Sequence, residues 1–408
     1  MPSATFAGHT CPLYTLPPDS LIMTERELLR YDQTLFQDVE VFEHWFVPGE
    51  VPFRDAQISE LAMLARPGVH GARPGNAFLR GPPGTGKTTT VRRLFAEIEE
   101  TTGRIVPVYV NCQHDRTRAA VFAKVLERLA SHPLPGSGTP LSELQRKVAK
   151  VMQEKECALL VCLDDAQYLH FERELNGVLY TLLRLHESYG KASIGVFAVT
   201  SDMDLDLRAS VDTRVFSVFH PVVVEFPAYS SGEIREILAA RVRQGLFPNV
   251  MEKKAFELAA TIAAREQDVR AGIDIVWQAA LRAEKDARKA VTREDVLKAA
   301  RFVVSPTLRA RAERFRESER KLLCRLSEIG RSGEVLTAGN AFRAVREGMQ
   351  IGYTTFHEKL KRFEGEGLLD LRICTERGRT REIRLRFDPE EMIAACEESE
   401  YSAGESPP

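Results

Sequence analysis

No two of the seven cysteines stand at C-x-x-C spacing, and their number is odd. Cys11, Cys112, Cys157, Cys162, Cys324, Cys374 and Cys396 are scattered, several of them inside apolar runs. A disulfide framework or a zinc site is therefore not expected, and the pattern fits a reducing compartment. No apolar run approaches the ~18 residues of a membrane-spanning helix, and the N-terminus lacks a basic-then-apolar secretion signal. A cytoplasmic protein with no membrane partner is expected. Net charge is only −2, so no global basic field points to nucleic acid, and any such surface must be local. What remains is ordinary for a globular chain, with 44% hydrophobic and 28% charged residues. At 408 residues the chain exceeds the about 250–300 at which one core stops growing, which predicts two or three domains.

One stretch organises the rest. Gly81-Pro82-Pro83-Gly84-Thr85-Gly86-Lys87-Thr88 reads G-x-x-x-x-G-K-[ST], the phosphate-binding loop of nucleoside triphosphatases. Glycines let successive N–H groups turn inward around an anion, and the following helix adds its N-terminal dipole. Gly84, Thr85, Gly86, Lys87, Thr88 and Thr89 are the expected nucleotide-binding residues. Lys87 would reach the β- and γ-phosphates of ATP or ADP, and the Thr88 hydroxyl would sit on Mg²⁺. Residues Asn76 to Leu79 read as a buried strand before the loop. Thr89 to Glu99 reads as a helix with Val91, Leu94, Phe95 and Ile98 on one face.

Around this loop the pattern is α/β. A helix opens at Phe53–Gln57 with Ile58, Leu61, Ala62 and Leu64 inward, and Ile105–Asn111 alternates as a strand. Val121–Ala130 and Leu141–Lys155 read as helices on either side of a Pro/Gly loop, Pro133–Pro140. Ala158–Leu163 and Ile194–Val199 are unbroken apolar runs, which suggests central parallel strands, and Val222–Phe226 reads as a last strand. From Ser230 the texture is helix only. Ser230 with Glu233, and Thr292 with Asp295, read as capping pairs. The expected division is a tail (1–20), an α/β core (21–229), an all-α lid (230–303), a third unit (304–387) and an acidic tail (388–408).

The strand at Ala158–Leu163 ends in Asp164 and Asp165. Paired carboxylates beside a phosphate loop are what a Mg²⁺ shell and a water-activating group require, with Asp164 on the metal and Asp165 on the water. The next strand ends in Thr200-Ser201-Asp202 at the nucleotide crevice, so Ser201 is either a polar sensor of the γ-phosphate or merely a turn.

These parts, in this order, resemble an AAA+ ATPase, and more narrowly the archaeal origin-recognition initiators. Those are relatives of the eukaryotic origin recognition complex and of its helicase-loading partner. The resemblance rests on Val51-Pro52-Phe53-Arg54-Asp55-Ala56-Gln57, Arg73-Pro74-Gly75-Asn76 and Val110-Asn111-Cys112. Asp212-Thr213-Arg214-Val215-Phe216-Ser217 and Phe226-Pro227-Ala228-Tyr229 continue it, over roughly residues 30 to 388. It implies a parallel-sheet P-loop core, an α-helical lid and a C-terminal winged helix. It also implies that Arg270, within Asp268-Val269-Arg270, senses the γ-phosphate from the lid. Tyr229 and Arg241 match nucleotide-associated positions, and Arg214 matches the arginine offered to a neighbouring subunit's nucleotide. A solvated helix charge is the alternative for each arginine. Asp165 stands where the family usually has Glu, and Ser201 where Asn is commoner, which implies slow hydrolysis and a long-lived ATP state.

Beyond the lid, Arg320–Ile329, Ala338–Arg346 and Tyr353–Glu366 read as three helices. Leu371–Thr375 and Arg381–Phe387 read as a hairpin. That order is a winged helix. Thr355, Lys359 and Arg362 on the third helix, with Arg377, Arg379 and Arg381 in the wing, are the candidate DNA contacts. Alternation puts Arg384 and Arg386 opposite Ile383, Leu385 and Phe387, while Arg116, Arg118 and Lys124 would add a contact from the core. The expected role is an ATP-dependent switch that binds double-stranded origin DNA and helps load the replicative helicase, as a monomer or small assembly. The alternatives are an AAA+ regulator whose winged helix binds protein, and a hexameric remodeller.

Overall fold

The computed structural model describes residues 34–130, 138–313, 315–331, 336–366, 368–374, 380–387, 389 and 392–393. Tail 1–20, most of the Pro133–Pro140 loop, Arg377, Arg379 and most of the acidic tail lie outside these residues.

A five-stranded parallel sheet carries the core, built from β1 (Ala77–Arg80), β2 (Ile105–Asn111), β3 (Ala158–Asp164), β4 (Ile194–Thr200) and β5 (Val222–Glu225). Its order is β2-β3-β4-β1-β5. Strands β3 and β4 are buried at every position, as their unbroken apolar runs predict. The two-residue period of the strands divides the core in two. Leu160 and Cys162 face one cluster, with Leu61 and Ala65 of α1 (Asp55–Val69) and Val91, Leu94, Phe95 and Ile98 of α2 (Lys87–Thr101). Leu159, Val161 and Leu163 face the other, under α3 (Arg118–Ala130), α4 (Leu141–Glu154) and the short helices α5 (Gln167–Phe171), α6 (Leu175–Leu183) and α7 (Leu185–Tyr189). Helices α8 (Leu207–Ser210) and α9 (Thr213–Phe219) complete that layer. Because all five strands run the same way, the C-terminal ends of β1, β4 and β3 open onto one crevice.

The lid is α10 (Ser231–Gly245), α11 (Lys253–Glu266), α12 (Val269–Lys285) and α13 (Arg293–Glu313). Ser230 Oγ accepts from the Glu233 amide at 3.3 Å and Glu233 Oε2 accepts from the Ser230 amide at 2.7 Å, a reciprocal cap. At Thr292 both the amide and the hydroxyl donate to Asp295 Oδ2 at 2.8 Å. Helix α13 passes position 303 without a break, so the expected lid boundary falls inside a continuous helix. The leading segment also differs from expectation. Leu35, Phe36 and Phe42 pack in the lid's core with Leu246, Ala255 and Val276, not in the sheet's. A Cβ on Gly245 would lie 2.2 Å from the Phe42 ring, and that close approach seats the segment against α10.

The third unit has α14 (Glu317–Gly330), α15 (Ala338–Arg346), α16 (Tyr353–Gly365) and the antiparallel pair β6 (Leu369–Cys374) and β7 (Thr380–Leu385). Helix, helix, helix, hairpin is the order of a winged helix. Phe356, Leu360 and Phe363 of α16 meet Leu322, Leu326, Ile383 and Phe387 in its core. Met392 is buried there too, so the packing passes the expected end at residue 387. Met392 is an apolar side chain among acidic neighbours, and composition hid it.

Candidate nucleotide site and nucleic-acid face

The phosphate loop leaves β1 and enters α2 two residues earlier than periodicity suggests, with Lys87 and Thr88 in the first helical turn. Gly84 and Gly86 have φ of 75° and 86°, a region that costs a Cβ-bearing residue about 1–2 kcal/mol. Lys87 is 5% exposed, and its Nζ donates to the Gly81 and Pro82 carbonyls at 2.7 Å each. Burial, then the charge of Arg270, pushes its ammonium down to about 8, against the pull of Asp164, Asp165 and Asp268. Thr85 is buried, and Thr89 is half-buried on the same turn as Thr88.

Arg54 holds the loop from behind. It is 3% exposed, and its guanidinium donates to the carbonyls of Thr85 (2.9 Å), Phe53 (2.9 Å) and Pro227 (2.8 Å). It also lies 3.8 Å from the centroid of the Tyr229 ring. Arg54 lies in one of the stretches that carry the resemblance, but the sequence gives it no site role, since a lone arginine in a helix-opening segment is a weak signal.

At the β3 tip the Thr88 hydroxyl donates to Asp164 Oδ2 at 2.8 Å, and the Tyr109 hydroxyl donates to the same oxygen at 2.6 Å. Asp164 Oδ1 is sealed from solvent with no donor in hydrogen-bonding geometry among the described residues. Burial raises the Asp164 carboxyl above its ordinary value, opposed by these two hydroxyls. An orphaned carboxylate oxygen beside a threonine hydroxyl is the oxygen-rich donor set a Mg²⁺ ion takes, so the residues fit that ion. Asp165 follows at φ 53° and accepts from Gln167 Nε2 at 3.1 Å. Ser201 is half-buried at the β4 tip, but the hydroxyl bonded into this network is that of Thr200.

The lid closes the other side of the loop. Asp268 caps α12, its Oδ1 accepting from the Arg270 amide at 2.9 Å. A Cβ built on Gly84 would sit 2.3 Å from that same oxygen, so the lid carboxylate rests on the phosphate loop. Arg270 is exposed here, close enough for its charge to act on Lys87. The Tyr229 hydroxyl lies 2.6 Å from the Cβ position of Gly86. Arg241 is placed differently from expectation: it donates to the Val41 carbonyl at 3.2 Å and lies 4.6 Å over the Phe46 ring. It pins the leading segment. Arg214 is exposed on α9, its side chain open to a neighbour.

On the winged helix, Thr355 and Arg381 are exposed, as is Lys361, which the helical pattern of α16 does not single out. Arg381 and Lys361 both act on His357, whose imidazole is held below its ordinary value mainly by burial. Two candidates are already paired within the unit, Arg362 with its side chain still 48% exposed. Lys359 Nζ donates to the Ser318 carbonyl and hydroxyl at 3.2 and 3.0 Å, and Arg362 pairs with the buried Glu319 at 2.7 Å. Helix periodicity gives their azimuth on α16 without showing that α14 begins beside them. Arg386 likewise turns to Asp370 and Gln267. In the core, Arg116, Arg118 and Lys124 pair with Glu172, Glu174 and Glu127.

A family profile described as an AAA domain matches residues 71–204, and one described as a Cdc6 AAA+ ATPase-type lid domain matches residues 235–301. The "ORC1-type DNA replication protein 2" of Methanosarcina mazei is 36% identical over 373 residues, covering 91% of this chain and 98% of that protein. Among solved structures, the Aeropyrum pernix ORC2 protein in ADPNP–ADP complexes superposes at TM-score 0.68 with 23% identity, over 91% of this chain and all of that one. The Aeropyrum pernix ORC1 protein in complex with DNA does so at 0.60 with 23% identity, over 90% and 98%.

Proposed function

The chain belongs to the family of ORC1-type DNA replication proteins, and from that premise we propose that it is an ATP-dependent replication initiator. It binds double-stranded origin DNA through its winged helix, works on cytoplasmic, nucleoid DNA, and helps load the replicative helicase. The observation that carries the reading is the meeting of core and lid on one loop. Asp268 and the charge of Arg270 reach the same phosphate loop that Thr88, Lys87 and Asp164 line. A nucleotide there touches both bodies at once, so its γ-phosphate biases their angle.

The roles follow from the placement. Lys87 exchanges the Gly81 and Pro82 carbonyls for phosphate oxygens, which stabilises its positive charge. Thr88 and Asp164 hold Mg²⁺, which offsets the charge of the phosphates when bound. Asp165 orients the attacking water, Arg270 faces the γ-phosphate, and Arg214 is offered to a neighbouring copy in a small assembly on DNA. Asp165 is one methylene shorter than the usual glutamate, so turnover is slow and acts as a reset. On the winged helix Thr355, Lys361 and Arg381 make the contacts, and Arg377 and Arg379, which lie between β6 and β7 in sequence, add to them.

DNA binding across a salt series tests this, with ATP or ADP, for the intact protein, Lys87→Ala and Arg381→Ala. Arg381→Ala should weaken binding on every duplex and flatten the salt slope by about one. Lys87→Ala should lose only the nucleotide dependence. Absence of duplex binding across an origin-containing library would sink the origin role and leave a protein-binding winged helix.

A further inference from the structure

Between Asp165 and the tip of β4 lies one side chain that the reading above does not use. Gln167 is the first residue of α5, half-buried, and its amide is bonded at both ends. Its Nε2 donates to Asp165 Oδ1 at 3.1 Å, and its Oε1 accepts from the Thr200 hydroxyl at 3.0 Å. No other hydrogen bond reaches the Asp165 carboxylate among the described residues.

The direction of these bonds is set by the Asp165 carboxylate, which accepts, and Thr200 agrees with it. The Asp202 amide donates to Thr200 Oγ1 at 3.0 Å, which leaves the hydroxyl proton to be given away. Gln167 Oε1 at 3.0 Å is a better acceptor than the Asp202 carbonyl at 3.5 Å. With its oxygen on Thr200, the amide must present its NH₂ to Asp165. The backbone enforces the same approach. The Ala166 amide donates to the Val199 carbonyl at 2.8 Å, and Asp165 takes the left-handed φ of 53° that turns the chain from β3 into α5. The sequence is thus an ordered chain from Asp202 N–H through Thr200 and Gln167 to Asp165.

We propose that Gln167 is a positioning residue for ATP hydrolysis, relaying the position of the β4 tip to the Asp165 carboxylate. This rests on the reading of Asp165 as the group that orients the attacking water. The amide holds Oδ1, which leaves Oδ2 directed to accept a hydrogen bond from water. A shift of residues 200–202, the strand tip beside the γ-phosphate, moves Gln167 Oε1 and with it the carboxylate. The sensor of this site is therefore Thr200 acting through Gln167, in place of the neighbouring Ser201. A bland role is a stabilising bridge across the crevice, and it predicts different behaviour.

The test uses the full chain and the variants Gln167→Leu, Thr200→Val, their double and Thr200→Ser. ADP affinity is measured by calorimetry, and the single-turnover hydrolysis rate with MgATP. The glutamine side-chain amides are followed by NMR of ¹⁵N-glutamine-labelled protein. A relay predicts that Gln167→Leu and Thr200→Val each slow hydrolysis about tenfold, the usual scale for such supporting groups, while ADP affinity holds. It predicts that the double variant is no slower than the slower single, that Thr200→Ser restores the rate, and that Thr200→Val moves the Gln167 amide signal. Rates that multiply in the double variant, an unchanged rate in Gln167→Leu, or an unmoved amide signal would each overturn it. If the intact protein hydrolyses ATP no faster than Lys87→Ala, the ATPase reading falls, and the amide signal alone then decides whether the Thr200–Gln167 link exists.

Discussion

Arg386 Nη1 donates to Gln267 Oε1 at 2.9 Å, and this bond ties the end of the wing to the turn between two lid helices. Arg386 also donates from Nε to Asp370 Oδ1 at 2.9 Å, and its carbonyl accepts from Arg265. Gln267 is followed by Asp268, which rests on Gly84 of the phosphate loop. Wing and loop are therefore separated by two adjacent lid residues. Arg386→Ala should remove the tie at a cost of about 1–3 kcal/mol, the usual penalty for unpairing a charge-assisted group. Chemical denaturation reads the cost. The difference in DNA affinity between ATP and ADP should shrink in the same variant, and an undiminished difference would show that this contact does not couple the two sites.

Lys87 sets a pH dependence. Its ammonium is pushed from 10.5 down to about 8, so between those values the unfolded chain binds more protons than the folded one. Stability from this group therefore rises as pH climbs through that window. Below pH 8 the buried charge costs the fold about 3 kcal/mol, by the usual 1.36 kcal/mol per unit. Phosphate oxygens should restore the proton. ADP binding near pH 8 is expected to take up about half a proton, and binding near pH 6.5 almost none. Calorimetry in buffers of different ionisation enthalpy measures the uptake, and Lys87→Arg should abolish it.

Arg54 is expected to behave as part of the site. Arg54→Ala would strip hydrogen bonds from three carbonyls and leave the Tyr229 ring uncovered. A loss of about 2–4 kcal/mol in unfolding free energy is expected, at about 1–3 kcal/mol per unsatisfied buried group with partial relaxation. ADP should bind at least about tenfold more weakly, since the loop loses its anchor at Thr85. Denaturation with and without ADP separates the two effects.

Gly84→Ala combines a left-handed φ of 75° with a Cβ placed 2.3 Å from Asp268 Oδ1. The variant should lose nucleotide binding and release the lid carboxylate from the loop. A Cβ on Gly103 would meet no atom within 4 Å among the described residues, so Gly103→Ala should be silent. Binding of a fluorescent ADP analogue to both variants checks the pair, and retained binding in Gly84→Ala would show that the loop can move away from Asp268.

Much of this molecule is written along the chain itself. The strand Ile105–Asn111 and the buried stripe Val91, Leu94, Phe95, Ile98 follow from alternation and helical period alone. The capping pair Ser230–Glu233 is equally local, because both partners lie within one helical turn. The loop Gly81–Thr88 and the carboxylates ending β3 are legible for the same reason, since a short motif carries its own backbone chemistry. What only the tertiary structure decided is which distant groups share a space. Arg54 meets Thr85 and Pro227 because α1 packs beneath the loop, and Thr200 meets Gln167 because β3 and β4 are parallel neighbours. Arg362 stays half-exposed yet is paired because α14 brings Glu319 to it, and Arg386 is held because β6 brings Asp370 and the lid brings Gln267. A charged side chain's azimuth is a property of its own element. Whether it faces solvent or a carboxylate depends on another element, one that periodicity cannot place.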